Sequence, residues 1–261
     1  MNTPRQLQAI GLEGFPAVKQ GDNLAVLIQQ CLKDNDLTLQ TGDILVLAQK
    51  IVSKSEGRKI PLSTVEPGEK ARQLAGEIGK DPRLVELILS ESRALVRKRD
   101  ALVIVEHRNG YVHATAGIDF SNVRQPDGDL EALLLPNDPD ASAGKLRSEL
   151  QHDSGVSIGI IISDSMGRAW RNGIVGQAIG CSGVTALSSR IGQLDLYGRA
   201  LETTEVGIGD ELAAAASLLM GQGAEGIPVV LLRGMSAFVG DEEAAAKDLI
   251  RDPATDLFRD W

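Results

Sequence analysis

The sequence predicts an α/β (α+β) protein built on mixed sheets. Three observations carry that expectation. Short apolar, β-branched runs recur at 44–49 (ILVLAQ), 156–162 (VSIGIII) and 227–233 (IPVVLLR), of a length that suits buried strands. Helical patterns separate them, at 23–33 and 210–220. Asn109-Gly110 joins two further strand-like runs as a hairpin signal, which requires antiparallel pairing somewhere.

In chain order, Glu13 to Asp22 reads as a loop around Pro16. A helix follows to about Lys33, with Asn23 as its cap and Leu24, Leu27, Ile28 and Leu32 on one face. Asp43 opens the first buried strand, which runs into Lys50 and Lys54; with Arg58 and Lys59 these make a basic island. Such lysines either pair with phosphates or sit on a solvated loop. Residues 66–92 carry two short helical patterns, the second starting at Asp81-Pro82 with proline at the first helical position. A strand over 101–106 turns at Asn109-Gly110 and returns through Tyr111–Thr115 to Asp119, Ser121 and Asn122. Residues 125–140 read as a loop with Pro126, Gly128, Pro136 and Pro139, leading to a helix from about Ser142 to Gln151 that Asp138 to Asp140 would cap.

The stretch 155–183 (GVSIGIIISDSMGRAWRNGIVGQAIGCSG) holds the densest chemistry. Its strand delivers Asp164 and Ser165 to a strand end, where carboxylate and hydroxyl oxygens suit a hard cation such as Mg²⁺ or Mn²⁺. Arg168 and Arg171 follow, and then Gly173, Gly176, Gly180 and Gly183 offer bare backbone. Together they fit a metal-bound phosphate ester, or else a capped strand end with two solvated arginines. Asp119 beside Ser121 and Asn122 repeats the pattern at a second strand end. Residues 202–209 read as a strand and 210–220 as an alanine-rich helix with Asp210 and Glu211 in its first turn.

Gly221, Gly223 and Gly226 have the spacing of a dinucleotide fingerprint, but a helix precedes them and a strand follows, the reverse of that motif's context. The fold is therefore not Rossmann, and without GxxxxGK[ST] it is not a P-loop protein. The turn still frees backbone N–H groups for phosphate oxygens. Gly223 in particular, lacking a Cβ, would let backbone lie against a phosphate, with Gln222 projecting into the site. A plain helix cap at Gly221 is the alternative.

The 261 residues suggest one large domain or two smaller ones. Hydrophobic residues make up 43% and aromatics 3%, so the core must be aliphatic. A net charge of −9 argues against nucleic-acid binding, which needs a basic footprint. Cys31 and Cys181 match no zinc or disulfide pattern and read as buried thiols. His107, His113 and His152 lack metal-ligand spacing and read as surface or turn residues. No secretory leader and no run of about 18 apolar residues occurs, so a cytoplasmic protein without a membrane span is expected.

The ordered set EGFPAVKQGD, AQKIVSKSEGR, AGIDFSNV, LLLPNDPDASAGKLR, ISDSMGRAWRNGIVGQAIGCSG, DLYGR and LLMGQGAEGIP resembles the coenzyme F420-0:L-glutamate ligase family, the γ-glutamyl ligases of deazaflavin biosynthesis. The resemblance spans nearly the whole chain. It implies a fold specific to the family in two subdomains, with a boundary near 125–140, and a homodimer. Residues 1–261 would form one ligase unit, ending at Trp261 without the nitroreductase-like domain some members carry.

By position, the resemblance implies that Asp119, Asp164 and Arg168 are catalytic. Asp119, Asp164, Ser165 and Gln222 would ligate two Mg²⁺ or Mn²⁺ ions, with K⁺ as activator. GTP would contact Phe15, Pro16, Ala17, Val18, Gln49, Lys50, Lys54 and Asn122, together with Met220, Gly221, Gln222, Gly223, Ala224, Glu225, Gly226 and Ile227. Ser165 stands where the family often has threonine and keeps the hydroxyl. Gln49 and Lys50 replace smaller hydroxyl residues. The implied reaction uses GTP to phosphorylate the terminal carboxylate of F420-0. The amine of L-glutamate then displaces phosphate, and later cycles add γ-linked glutamates. Two other functions would suit the same residues: a metal-dependent kinase or phosphatase acting on another small anionic metabolite, or a non-catalytic nucleotide-binding module.

Overall fold

A computed structural model describes residues 5–123, 125, 129–240 and 243–257. Pro126, Gly128 and Trp261, on which the expected loop and chain end partly rest, lie outside the described residues. The elements run β1 (Gln8–Gly11), α1 (Leu24–Asp34), β2 (Ile44–Ala48), α2 (Gln49–Ser55), β3 (Lys59–Pro61), α3 (Glu69–Ile78), α4 (Pro82–Ser90), β4 (Ser92–Arg99), β5 (Leu102–His107) and β6 (Val112–Ala114). They continue β7 (Glu131–Leu133), α5 (Pro139–Ser154), β8 (Gly159–Arg168), β9 (Arg171–Ser182), β10 (Ser188–Ser189), β11 (Glu205–Val206), α6 (Ile208–Met220) and β12 (Val229–Arg233). The α+β class expected from the sequence is the one observed.

The central sheet has strand order β1-β12-β2-β8-β9. Only β2 and β8 pair in parallel; the other neighbours are antiparallel, so the sheet is mixed. Both faces of its middle strands are covered, which is why those strands read as continuous apolar runs. Leu45, Leu47, Ile160 and Ile162 face α1 and α5, while Ile44, Val46, Ile161 and Val230 face α6. Deleting the side chain of any of these fully buried residues would cost about 2–5 kcal/mol. A third cluster draws all its residues from 60–134 and packs α3 and α4 against the β4-β5-β6 sheet.

Local signals set the boundaries. Asn23 caps α1, accepting from the Val26 amide at 3.2 Å, and the buried stripe is Ala25, Ile28, Cys31 and Leu32, with Leu24 and Leu27 at its edge. Asp81 and Asp138 cap α4 and α5, each followed by proline. The Gly155 backbone, at φ +72°, closes α5. Both cysteines are buried and free.

Four expectations change. Residues 49–55 form helix α2 rather than an extension of the strand, so Lys50 and Lys54 lie one turn apart on it. The strand expected over 202–209 shrinks to β11, and β4 and β7 appear where helix end and loop were read. Asp164 and Ser165 do not stand at a strand end, because β8 runs on to Arg168, and the glycine-punctuated segment from Arg171 is the second arm of a hairpin. There Gly176 and Gly180 let helices approach: a Cβ on Gly176 would strike the Ala213 carbonyl of α6, and one on Gly180 the backbone of Pro139 in α5. Arg168 and Arg171 pair at the hairpin tip.

The histidine reading fails at two of three positions. His152 is exposed, but His107 is fully buried. Its Nδ1 accepts from the Asn109 amide at 3.1 Å, so its proton is on Nε2, 3.5 Å from Glu91 Oε2. Glu91 also takes Arg58 at 2.7 Å and Arg108 at 3.1 Å, tying the exits of α2, α4 and β5 together. Burial alone would push the Glu91 carboxyl up; His107 and the two guanidiniums outweigh it and hold the pKa at about 2.

Candidate active site

The parallel pairing of β2 with β8 ends at Ala48 and Ser163, where α2 begins and β8 runs on alone with β9. Polar side chains reach solvent just beyond that step, at the carboxyl end of a parallel pair, where open α/β sheets hold their ligands. A cavity of about 390 Å³ opens there. One wall is the loop after β1, from Phe15 to Val18; another is α2, with Gln49, Lys50 and Lys54. Asp164 and Ser165 form the floor, and the turn after α6, from Met220 to Gly223 with Ala224, Gly226 and Ile227, forms the roof. Asn122 closes one end.

Of the catalytic, metal and nucleotide residues that the resemblance implies, Glu225, Asp119 and Arg168 do not line this cavity. Glu225 turns back on its own loop, accepting from the Gly223 amide at 2.8 Å. Gly221 is the glycine that the turn demands: its φ is +67°, and a Cβ would collide with the Glu225 carboxylate. Gly223 has no such need, since a Cβ there meets only ordinary contacts. Arg168 points along the hairpin, donating to the Gly173 carbonyl at 3.1 Å.

Asp119 stands behind α2. Its backbone pairs with Leu133, and its carboxylate takes Lys50 at 2.8 Å and the Ser121 amide at 2.6 Å. Burial raises its pKa, but Lys50 and the Ser121 donors outweigh that and leave it below the usual carboxylate range. Lys54 donates to the Asn122 carbonyl at 2.8 Å, and Asn122 Nδ2 donates to the Gly223 carbonyl at 3.0 Å. The two lysines thus hold the Asp119–Asn122 turn against α2, and Asn122 joins it to the roof. Burial first, then the charges of Lys50 and Lys59, lower the Lys54 pKa. A cation in that condition is stabilised by an arriving anion.

Ser165 Oγ donates to Gln222 Oε1 at 2.8 Å, linking floor to roof. Asp164 Oδ2 lies 3.0 Å from His113 Nε2, and His113 Nδ1 lies 2.8 Å from the Ala114 carbonyl. Both partners of the ring are acceptors, so the ring satisfies both only as imidazolium. Burial lowers the His113 pKa, and the Asp164 contact outweighs burial and raises it. This partner escaped the sequence reading. The available signal was strand alternation, which puts Tyr111 and His113 on one face of the returning strand, toward the sheet.

Among the described residues no three His, Cys, Asp or Glu side chains form a ready-made metal cage. The donors grouped on the floor are instead mixed oxygens: the Asp164 carboxylate, the Ser165 hydroxyl and the Gln222 amide oxygen. That set fits a hard cation that keeps waters or substrate oxygens in its other positions.

Residues 14–234 match the family model described as F420-0:Gamma-glutamyl ligase. Curated relatives named coenzyme F420:L-glutamate ligase are similar along nearly their whole length. That of Methanothermobacter thermautotrophicus is 46% identical over 97% of this chain and 99% of its own. That of Methanocaldococcus jannaschii is 42% identical over 98% of each chain, and that of Archaeoglobus fulgidus 41% identical over 97% of each.

Proposed function

The chain belongs to the F420-0:gamma-glutamyl ligase family, and from that membership we propose that it joins L-glutamate to the terminal carboxylate of F420-0 at the expense of GTP, then extends the product through γ-linked glutamates. It is an enzyme of the ligase class, forming amide bonds. The observation that best supports the GTP-dependent reading is the cavity itself. Basic α2 and a glycine turn face oxygen donors across a space of about 390 Å³, within the range of pockets that enclose a small ligand.

In this reading the nucleotide lies along the cavity, with Lys50 and Lys54 beside its phosphates and the roof turn closing over it. Asp164, Ser165, Gln222 and, once exchanged from Lys50, Asp119 would hold Mg²⁺ or Mn²⁺. Such cations, when bound, neutralise charge on the transferring phosphoryl group. His113 holds Asp164 at one oxygen and leaves the other toward the cavity floor. The lysines position the anionic reactants, and exclusion of water under the roof protects an acyl phosphate from hydrolysis. The amine of glutamate then attacks the activated carbonyl and phosphate leaves. Arg168 belongs to this scheme by family position; potassium rests on the resemblance alone.

A cytoplasmic setting is part of this reading; among the described residues no helix is long and apolar enough to cross a membrane. Homodimer formation is supported by an ordered, exposed arm between β10 and β11 whose tip residues Leu196 and Tyr197 are 97% and 95% exposed. Phosphate release measured with F420-0, L-glutamate and GTP, omitting each in turn, tests the reading. Release that needs all three is expected; release without glutamate would favour a kinase or phosphatase instead.

A further inference from the structure

Lys50 and Lys54 stand one turn apart on α2 and both line the cavity of about 390 Å³, yet they are bound differently. Among the described residues Lys54 spends one of its three N–H donors, on the Asn122 carbonyl at 2.8 Å, so it can serve an anion without letting go. Lys50 spends all three: its Nζ lies 2.8 Å from Asp119 Oδ2, 2.6 Å from Ser121 Oγ and 3.2 Å from the Ser121 carbonyl. Lys50 therefore cannot bind a phosphate and keep these bonds.

Carboxylate, hydroxyl and carbonyl oxygens around one positive charge make a cage with the chemistry of a hard-cation site, and the ammonium fills it. Ser121 braces the carboxylate, donating from its amide to Oδ1 at 2.6 Å and from its hydroxyl to Oδ2 at 3.1 Å. The Asp119 side chain is 33% exposed, so the carboxylate is open to exchange from solvent. An ammonium at 2.8 Å from Oδ2 repels a divalent ion from the same oxygen, so the two compete. Departure of Lys50 leaves the turn anchored, because Lys54 still holds Asn122 and Asn122 still holds the Gly223 carbonyl. The flexible four-carbon stem of Lys50 lets its ammonium swing from the cage into the cavity that it lines.

We propose that Lys50 is a tethered stand-in for the divalent cation at Asp119: it fills the cage in the empty enzyme, yields it to Mg²⁺ or Mn²⁺, and moves to the phosphates of the nucleotide. The inference rests on the nucleotide reading of the cavity. It makes the loading of cation and nucleotide reciprocal, since each draws Lys50 away from Asp119. It also keeps the Asp119 carboxylate paired while no cation is bound, when an unpaired one would be costly.

The test measures binding by the full chain and needs no turnover. Lys50→Met keeps the length of the stem and removes the charge. In nucleotide-free protein, the Mn²⁺ concentration that saturates the chain, followed by loss of the free Mn²⁺ spin-resonance signal, is expected to fall by about tenfold. GTP titrated at saturating Mn²⁺ is expected to bind about tenfold more weakly than to the wild type, the opposite direction. Lys50→Gln, neutral and still able to hydrogen-bond to Ser121, decides the matter if Lys50→Met does not fold. Unchanged or weaker Mn²⁺ binding in the folded variant would overturn the exchange, because Lys50 would then not compete for Asp119. Tighter Mn²⁺ binding with unchanged GTP affinity would overturn it too, leaving Lys50 a tether of the turn. Wild-type protein that takes up Mn²⁺ but binds no GTP would instead overturn the nucleotide reading.

Discussion

At the residue scale, Asp164 carries the most weight. It lines the floor of the cavity between α2 and the roof turn and is the partner of His113 at once. Asp164→Asn preserves shape and removes the charge, so turnover is expected to fall by at least about 100-fold while the melting temperature stays near wild type. Near-normal turnover at saturating Mg²⁺ would remove it from the metal set. Lys54 is strained by burial and by its like-charged neighbours, a condition that phosphate binding relieves. Lys54→Ala should weaken GTP binding by more than about 1 kcal/mol in a titration; unchanged affinity would return it to the role of tethering Asn122. Two of the three roof glycines separate cleanly. Gly221→Ala forces a side chain into a positive-φ position against Glu225 and should cost about 1 kcal/mol or more of stability, whereas Gly223→Ala should leave the melting temperature nearly unchanged. Equal losses in both would contradict the geometry of the turn.

At the element scale, the hairpin and α2 show what the sequence could and could not convey. The buried strands, the capped helices and the Asn109-Gly110 turn were legible because each is governed by neighbours along the chain. The hairpin was not, because Gly176 and Gly180 answer to helices arriving from 213 and 139, far away in sequence. Gly223 was overrated for the converse reason: spacing alone cannot tell which glycine of a turn holds positive φ. Of the site, the motif residues were visible in one dimension, but His113 was hidden because its partner lies 51 residues downstream. The Glu91 hub is another element-scale feature that only folding reveals. Its carboxyl is near pKa 2 against an ordinary value near 4.5, a depressed case, so its contribution is present above about pH 4.5 and is lost as pH falls toward 2. That difference corresponds to roughly 3 kcal/mol, and denaturant titrations of Glu91→Gln should show a stability deficit at neutral pH that closes over that window. A deficit independent of pH would mean the hub's charge is not what joins α2, α4 and β5.

At the scale of the whole molecule, a mixed sheet buried on both faces presents the end of its one parallel pair to solvent. The lobe built from 60–134 brings Asp119, Asn122 and His113 to that end. The cavity of about 390 Å³ thus forms between parts that are distant in the chain, and neither part holds it alone. An enzyme organised this way should join its substrates only when the two lobes enclose them together. The most direct measurement is mass spectrometry of the products after incubation with F420-0, L-glutamate, Mn²⁺ and either GTP or ATP. F420 species heavier by whole glutamyl units, formed with GTP, are the expected result. Intact F420-0 after GTP has been consumed, or no consumption at all, would contradict a ligase at this site.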